Sequence, residues 1–255
     1  MKYWIVNKED RVSLEIKESL FKEIELSLDE ISPDLVVVVG GDGTFIHAVH
    51  QYPNAIFFCV HTGHLGFYSN YTIENLRQLI DDINKKEYQI ETLDTLYCQF
   101  LNGTNWIEAF AVNEMTILMP PRTLILNVLV DEEHLETFRG TGLCISTPSG
   151  STAYNKSLHG AVLDSNLHAI QIAEIAGINS NQYRTLSSPL LLQQNRKISL
   201  MPLQAEELFI TVDNISYHLK DFQQAKVQLS SHHIQIAFHE KTSFVERIRR
   251  TFLKD

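Results

Sequence analysis

Five consecutive apolar residues, Leu35-Val36-Val37-Val38-Val39, run without a polar interruption into Gly40-Gly41-Asp42-Gly43-Thr44. A β-branched run that is apolar on both faces predicts a central strand of a parallel sheet covered on both sides. Phe45, Ala48, Val49 and Tyr52 then share one face at helical spacing, with Thr44 placed to cap that helix. Upstream, Tyr3 to Val6 predicts a strand, and Val12, Ile16 and Leu20 predict an amphipathic helix. Ile24, Leu26 and Leu28 alternate as a short strand. Downstream, Ala55 to Val60 is a second all-apolar strand, and Ile73, Leu76, Ile80 and Ile83 mark the inner face of a helix over about 73–86. Strands alternating with helices imply a Rossmann-like parallel sheet, with ligands beyond the carboxyl ends of its strands. The loops 40–44 and 61–68 both fall at that edge.

The pattern changes near residue 92, where short strands follow one another without long helices. Asn102-Gly103 between Tyr97–Phe100 and Trp106–Phe110 predicts a type I′ hairpin. Runs at 124–130, 198–201, 208–212, 215–219 and 225–229 continue what reads as an antiparallel sandwich of two packed sheets. One helical face is predicted between Gly150 and Val162, from Ala153, Leu158 and Ala161. The last twenty residues form a basic amphipathic helix around Val245 to Arg250. The expected division is therefore an α/β domain over 1–92, a β-sandwich over 93–233, and a tail over 234–255 that packs back on the first domain.

Composition narrows the partners. Lys and Arg total 21 against 31 Asp and Glu, a net charge of −10, which argues against nucleic acid or an anionic membrane as a partner. An anionic ligand must then be held locally, by backbone dipoles, a metal or a few cations. Cys59, Cys98 and Cys144 lack metal-type spacing and read as reduced structural residues. No apolar stretch approaches a membrane span, and Met1-Lys2-Tyr3 opens directly into a strand, so a cytoplasmic protein is expected. His47 and His50 lie i, i+3 but lack a third ligand, and no zinc site is expected.

The glycine turn carries the candidate chemistry. Three glycines in four residues permit positive φ or a close ligand approach, and turned N–H groups suit phosphate at a helix start. Asp42 is the one side chain there that accepts a proton. A P-loop is excluded, since no Lys follows until Lys85, and the dinucleotide fingerprint lacks its third glycine. A tight strand-to-helix connection with a capping aspartate is the plainer alternative.

Four blocks, in order, carry a resemblance to NAD kinases of the Gram-positive bacterial kind: Gly40-Gly41-Asp42-Gly43-Thr44; Gly63-His64-Leu65-Gly66-Phe67; Asn113-Glu114; and Thr147-Pro148-Ser149-Gly150-Ser151-Thr152-Ala153-Tyr154-Asn155. The first block alone also occurs in lipid kinases and phosphofructokinases; the last is more specific. The resemblance spans nearly the whole chain. It implies transfer of the terminal phosphoryl group of ATP to the 2′-hydroxyl of the adenosine ribose of NAD, giving NADP, with a divalent ion, Mg²⁺, bridging the donor phosphates through protein ligands left unassigned. It further implies Asp42 as general base, backbone donors from Gly40, Gly41 and Gly43, and Asn113 and Glu114 holding the ribose. Thr152, Ala153, Tyr154 and Ser157, with Asn155 and Lys156 in the same block, would line the adenine and nicotinamide pockets. Phe67 and Tyr68 would supply an apolar wall, and His64 a phosphate or nicotinamide contact. Arg139 matches the family, whereas Thr141 stands where an Asp is expected; Ala176 and Tyr183 are weaker carry-overs across a subunit interface. A homodimer or homotetramer through the sandwich domain is implied. Polyphosphate remains an alternative donor, and a lipid or sugar kinase, or a non-catalytic NAD(P)-sensing module, an alternative function.

Overall fold

A computed structural model of the chain describes residues 1–63, 66–203, 206–240 and 242–253. Contacts divide it into two compact units, Met1–Leu93 with Ile234–Asp255, and Asp94–His233.

The first unit opens with β1 (Lys2–Asn7), α1 (Arg11–Glu23), β2 (Ser27–Leu28), β3 (Leu35–Val39), α2 (Asp42–Gln51), β4 (Ile56–His61), β5 (Tyr71–Thr72) and α3 (Leu76–Lys85). β2, β1, β3 and β4 are neighbours in that order and all parallel. Every residue of β3 is buried. Leu35, Val37 and Val39 share a core cluster with Ile16 and Leu20 of α1 and Leu79 and Ile83 of α3. Alternate strand residues face the other side, where Phe45 of α2 packs its ring edge-on against Phe57 of β4 at 5.5 Å.

Three local expectations change. Val12 is 46% exposed; Asp10 caps α1 by accepting the Ser13 N–H at 2.8 Å, which starts the helix at Arg11 and turns Ser13, Ile16 and Leu20 inward. Ile73 lies in a 3₁₀ turn (Ile73–Asn75) closed by a Thr72/Asn75 capping box, so the buried face begins at Leu79. The alternation at 24–28 yields only the two-residue edge strand β2, with Leu28 exposed.

The second unit contains most of β6 (Gln89–Asn102), then β7 (Asn105–Ala111), β8 (Glu114–Leu118), β9 (Leu124–Val130), β10 (Glu133–Gly140), β11 (Gly142–Ser146), the one-turn helix α4 (Tyr154–Ser157), β12 (Ala169–Ile175), β13 (Leu190–Gln193), β14 (Ile198–Pro202), β15 (Glu206–Val212) and much of β16 (Ile215–Phe238). Its strand pairs are antiparallel, in the order β13-β12-β11-β8-β15-β16, continued from β16 through β14 and β9 to β10. This is one hydrogen-bonded series rather than two separate sheets, its halves turned onto one core that includes Ile117, Leu126, Phe138, Ile145, Leu200, Ile210 and Phe222.

β16 accounts for that continuity. Its first part pairs with β15 and Ala225 to Val227 pair with β14. The expected break near Lys220 is absent because Lys220, Asp221 and Gln223 are solvent-facing positions flanking buried Phe222. At the β6–β7 hairpin Asn102 pairs with Asn105, so Gly103-Thr104 is the loop, with positive φ only at Gly103, the pattern of a II′ turn rather than I′. The helix expected over 150–162 shrinks to a 3₁₀ turn (Ser149–Thr152) and α4, and the chain then turns at His159, whose φ is +60°.

Beyond residue 233, Gln235 and Ile236 of β16 pair in parallel with Ile56 and Phe57 of β4, and α5 (Phe244–Phe252) follows. Phe244 and Phe252 approach the Phe67 ring at 6.2 and 6.5 Å, and Arg247 donates to Glu91 at 2.6 Å with both side chains largely buried. All three cysteines are free and buried; burial pushes each thiol up, aided at Cys59 by Asp42. No helix of the described residues is long and apolar enough to cross a membrane.

Candidate active site

In the first unit, Gly41 is the N-cap of α2 with φ −110° and ψ −171°, and the helix begins at Asp42 itself. Thr44 therefore lies inside the first turn instead of capping it. The turn contains no left-handed residue: among the described glycines, positive φ occurs only at Gly103. Gly40 donates its N–H to the Val60 carbonyl at 2.9 Å, so of the three expected donors it is spent on the sheet. The helix start supplies the donors instead, since the first N–H groups of a helix have no partner within it.

Asp42 is fixed by the loop that follows β4. The Phe67 N–H donates to Oδ2 at 2.8 Å and the Tyr68 N–H to Oδ1 at 3.2 Å. The loop comes this close because residue 66 is glycine: a Cβ there would sit 2.1 Å from Asp42 Oδ1. Burial raises the Asp42 carboxyl above its ordinary range, and the two N–H bonds partly oppose the shift. The Phe67 ring, expected as a ligand wall, is instead buried against Tyr68, Phe244 and Phe252, and Tyr68 is buried against Phe45 at 4.5 Å. Their backbones rather than their rings serve the carboxylate. His64 lies outside the described residues.

Around the turn opens a cavity of about 430 Å³ lined by Lys8, Asp10, Gly40, Gly41, Gly43, Thr44, Thr62 and Gly63, with Asp42 itself not among its described lining residues. Among the described residues nothing comes within 4 Å of a Cβ built on Gly41, Gly43 or Gly63. Lys8 is the one cation among the described lining residues, its Nζ 3.4 Å from Asp10 Oδ2. Sequence reasoning passed over Lys8, Asp10 and Thr62; the available signal was Asp10 three residues before Ser13, a helix cap at the carboxyl edge of β1.

In the second unit, Asn113 and Glu114 sit at the corner where β7 passes into β8. Thr147 Oγ1 donates to the Val112 carbonyl at 2.6 Å and the Thr147 N–H to the Asn113 carbonyl at 2.9 Å. Gly150 packs on the Asn113 backbone so closely that a Cβ would lie 2.0 Å from its oxygen. Glu114 takes a bond from the Tyr154 backbone N–H, while its Oε2 is buried without a partner among the described residues. Burial first, then the nearby Asp213 charge, push its carboxyl up to about 8. The Asn-Glu and Thr-Ala-Tyr blocks are thus brought together, with Thr152 and Ala153 partly exposed and Tyr154 42% exposed rather than in the core. Lys156 and Ser157 are exposed, whereas the Asn155 amide is fully buried against Gly160, neither polar atom partnered among the described residues.

Arg139, Thr141 and Ala176 form a separate group. The Thr141 N–H donates to the Ile175 carbonyl at 2.9 Å, and the Ile178 N–H to the Arg139 carbonyl at 2.7 Å. The Arg139 guanidinium stacks 4.2 Å from the Tyr183 ring centroid. Thr141 adjoins Gly142, at the opposite end of β11 from Ser146, which pairs with Glu114. Four strand steps of ~3.4 Å separate the two groups, so they do not meet within this unit.

Comparison with known proteins meets this geometry at both blocks. Residues 7–88 match the model of the ATP-NAD kinase N-terminal domain and residues 112–238 that of the ATP-NAD kinase C-terminal domain. Across the full length of both chains, the sequence is 36% identical to NAD kinase 1 of Listeria monocytogenes serotype 4b (strain F2365) and 38% identical to NAD kinase 1 of Bacillus anthracis. In fold it is similar to yeast NADH kinase complexed with NADH, with a TM-score of 0.86, 19% identity, and coverage of 98% of this chain and 86% of that one. An NAD kinase from Archaeoglobus fulgidus in complex with ATP gives a TM-score of 0.78, 22% identity, and coverage of 98% and 99%. With both halves of one family following each other in order and more than a third of all positions shared with those bacterial enzymes, the chain belongs to the NAD kinase family.

Proposed function

We infer that the chain transfers the terminal phosphoryl group of ATP to the 2′-hydroxyl of the adenosine ribose of NAD, releasing ADP and NADP, with Asp42 as the general base. The observation that carries this role is the carboxylate itself, pinned by two loop N–H groups at a glycine that leaves room for it, in the first turn of a helix whose preceding glycines line a cavity of about 430 Å³. A ribose hydroxyl is a very weak acid, so a carboxylate raised by burial is the better acceptor of its proton. As that proton passes to Asp42, the hydroxyl oxygen bonds to the γ-phosphorus, and the bond to the β–γ bridging oxygen breaks.

Around this step the residues act by placement. The N–H groups at the start of α2 and the Lys8 ammonium would bind the donor phosphates, where negative charge shifts during transfer. Among the described residues no group of three or more His, Cys, Asp or Glu is arranged to hold a metal. A Mg²⁺ that entered with ATP would ask little of the protein, since Mg²⁺ commonly keeps several waters and binds through substrate phosphates with only one or two carboxylates. When bound, the ion neutralises phosphate charge. Asn113 and Glu114 would hold the ribose diol; a carboxyl pushed up to about 8 has a proton to donate to a ribose oxygen near neutral pH. Thr152, Ala153, Tyr154 and Ser157 would contact the nucleoside. Arg139, Thr141 and Ala176, grouped near the other end of β11 from Ser146, would act on the dinucleotide of a neighbouring copy in a homo-oligomer. Three buried free thiols suit a reducing compartment such as the cytoplasm.

The test is NADP formation from NAD, ATP and Mg²⁺ by the purified chain and by Asp42→Asn. Turnover by the wild type with a loss of ~10²–10⁴-fold in the variant is expected. Turnover with little loss in the variant would remove Asp42 as base. No turnover while NAD still binds would point to the sensing module, or to polyphosphate as the donor to try next.

A further inference from the structure

The β15–β16 hairpin closes through Asp213-Asn214, with Val212 opposite Ile215 and Asp213 held at φ +52°. That left-handed conformation costs a non-glycine residue energy, and here it aims a carboxylate at the corner carrying Asn113 and Glu114. Asp213 Oδ2 accepts the Val112 N–H at 2.8 Å, and Oδ1 accepts the N–H groups of Asn113 at 2.8 Å and Glu114 at 3.3 Å. In return the Asp213 N–H donates to the Glu114 carbonyl at 2.9 Å. Three successive backbone donors on one carboxylate, about 100 residues away in the chain, hold the corner in addition to the contacts from Thr147 and Gly150.

We propose that Asp213 is a positioning residue for the acceptor dinucleotide: through its three backbone bonds it sets the direction in which Asn113 and Glu114 meet the ribose. The proposal rests on the reading of that pair as the ribose-binding residues. Bonds from N–H donors to an ionised acceptor are stronger than neutral ones, and the bonds span both residues of the pair, so losing them frees the pair together. The same charge faces the Glu114 carboxyl and helps keep it protonated, so the residue that orients the pair also favours the form of Glu114 that donates.

Two variants separate positioning from folding. Asp213→Asn keeps the shape but turns one acceptor into a donor facing N–H groups; Asp213→Gly removes the carboxylate while suiting the positive φ. The expected result in both is an NAD KM raised at least ~10-fold, an ATP KM within about twofold of wild type, and cooperative melting. An NAD KM within twofold of wild type in either folded variant, or equal rises in both KM values, would overturn the proposal. So would failure of both variants to fold, since it would assign the carboxylate to stability alone. Direct titration with NAD reads the same effect without turnover. A wild type that binds NAD but makes no NADP would sink the kinase reading, yet would uphold the positioning role if both variants bound NAD at least ~10-fold more weakly.

Discussion

A side chain at position 66 would place its Cβ 2.1 Å from the Asp42 carboxylate, well inside contact distance, so Gly66→Ala is expected to displace the proposed base. Misplacement by about an ångström is enough to cost ~10²-fold in rate; kcat should fall by that order while the KM for NAD changes little, and an unchanged kcat would show that the loop does not set Asp42. Glu114 gives a test in pH. Its carboxyl stands at about 8 in the fold against an ordinary 4.5, so between those values the folded chain keeps a proton the unfolded chain has lost. The stabilisation is whole below the lower value and is lost as pH rises through the upper one. Relative to Glu114→Gln, wild-type stability should decline by up to ~1.4 kcal/mol per pH unit in that window, as read from urea melts at several pH values. Parallel curves for the two proteins would mean that Glu114 is not held protonated. Asp42 and the Asn-Glu pair were legible because a carboxylate in a glycine turn and a specific block announce themselves locally. Asp213 and the Phe67 ring were not: their partners lie about 100 and nearly 180 residues away, and only the Asp-Asn hairpin turn hinted at the first.

At the scale of elements, what the hydrophobic pattern revealed was burial on a repeating face. The five apolar residues of β3 and the spacing in α2 translated directly into strand and helix, because each face there meets one layer of neighbours. The pattern failed where one element serves two neighbours in turn, as β16 does, or where a short polar cap shifted the phase of a helix, as at Asp10 and Thr72. The attachment of α5 was only half legible: the basic face was evident, the ring contacts of Phe244 and Phe252 with Phe67 and the buried Arg247–Glu91 pair were not. Arg247 and Glu91 meet at 2.6 Å with side chains 11% and 6% exposed. Breaking this largely buried pair by removing one partner costs up to ~3–5 kcal/mol. Arg247→Met is therefore expected to lower the melting temperature clearly and to expose α5 to proteolysis. Restoration of stability by the paired Arg247→Met, Glu91→Leu replacement would show that the penalty comes from the broken pair rather than from lost packing of Arg247.

Over the whole molecule, the chain leaves the first unit after Leu93 and returns at Ile234, so the second unit is an insertion with adjoining ends. Thr95 Oγ1 donates to the His232 carbonyl at 2.6 Å, and the Asp94 carboxylate lies 3.2 Å from His233 Nδ1. A segment with its own core and neighbouring termini is a candidate for independent folding. Residues 94–233 expressed alone are expected to melt cooperatively, whereas residues 1–93 alone lack both the β16 end that pairs with β4 and α5, and are expected to remain unfolded; circular dichroism melts of the two fragments decide it. The alternation of strands and helices followed by strand after strand made two kinds of architecture visible from sequence. The re-entry of the chain at residue 234 depended on a pairing that only three dimensions display.

Because Cys59, Cys98 and Cys144 are all buried with their thiols pushed up, the native surface is chemically silent towards maleimides and similar labels. A cysteine engineered at an exposed site, such as Asn214 on the hairpin tip, would take up a single fluorophore without first stripping out the natural ones, and would turn that tip into an optical reporter of dinucleotide binding.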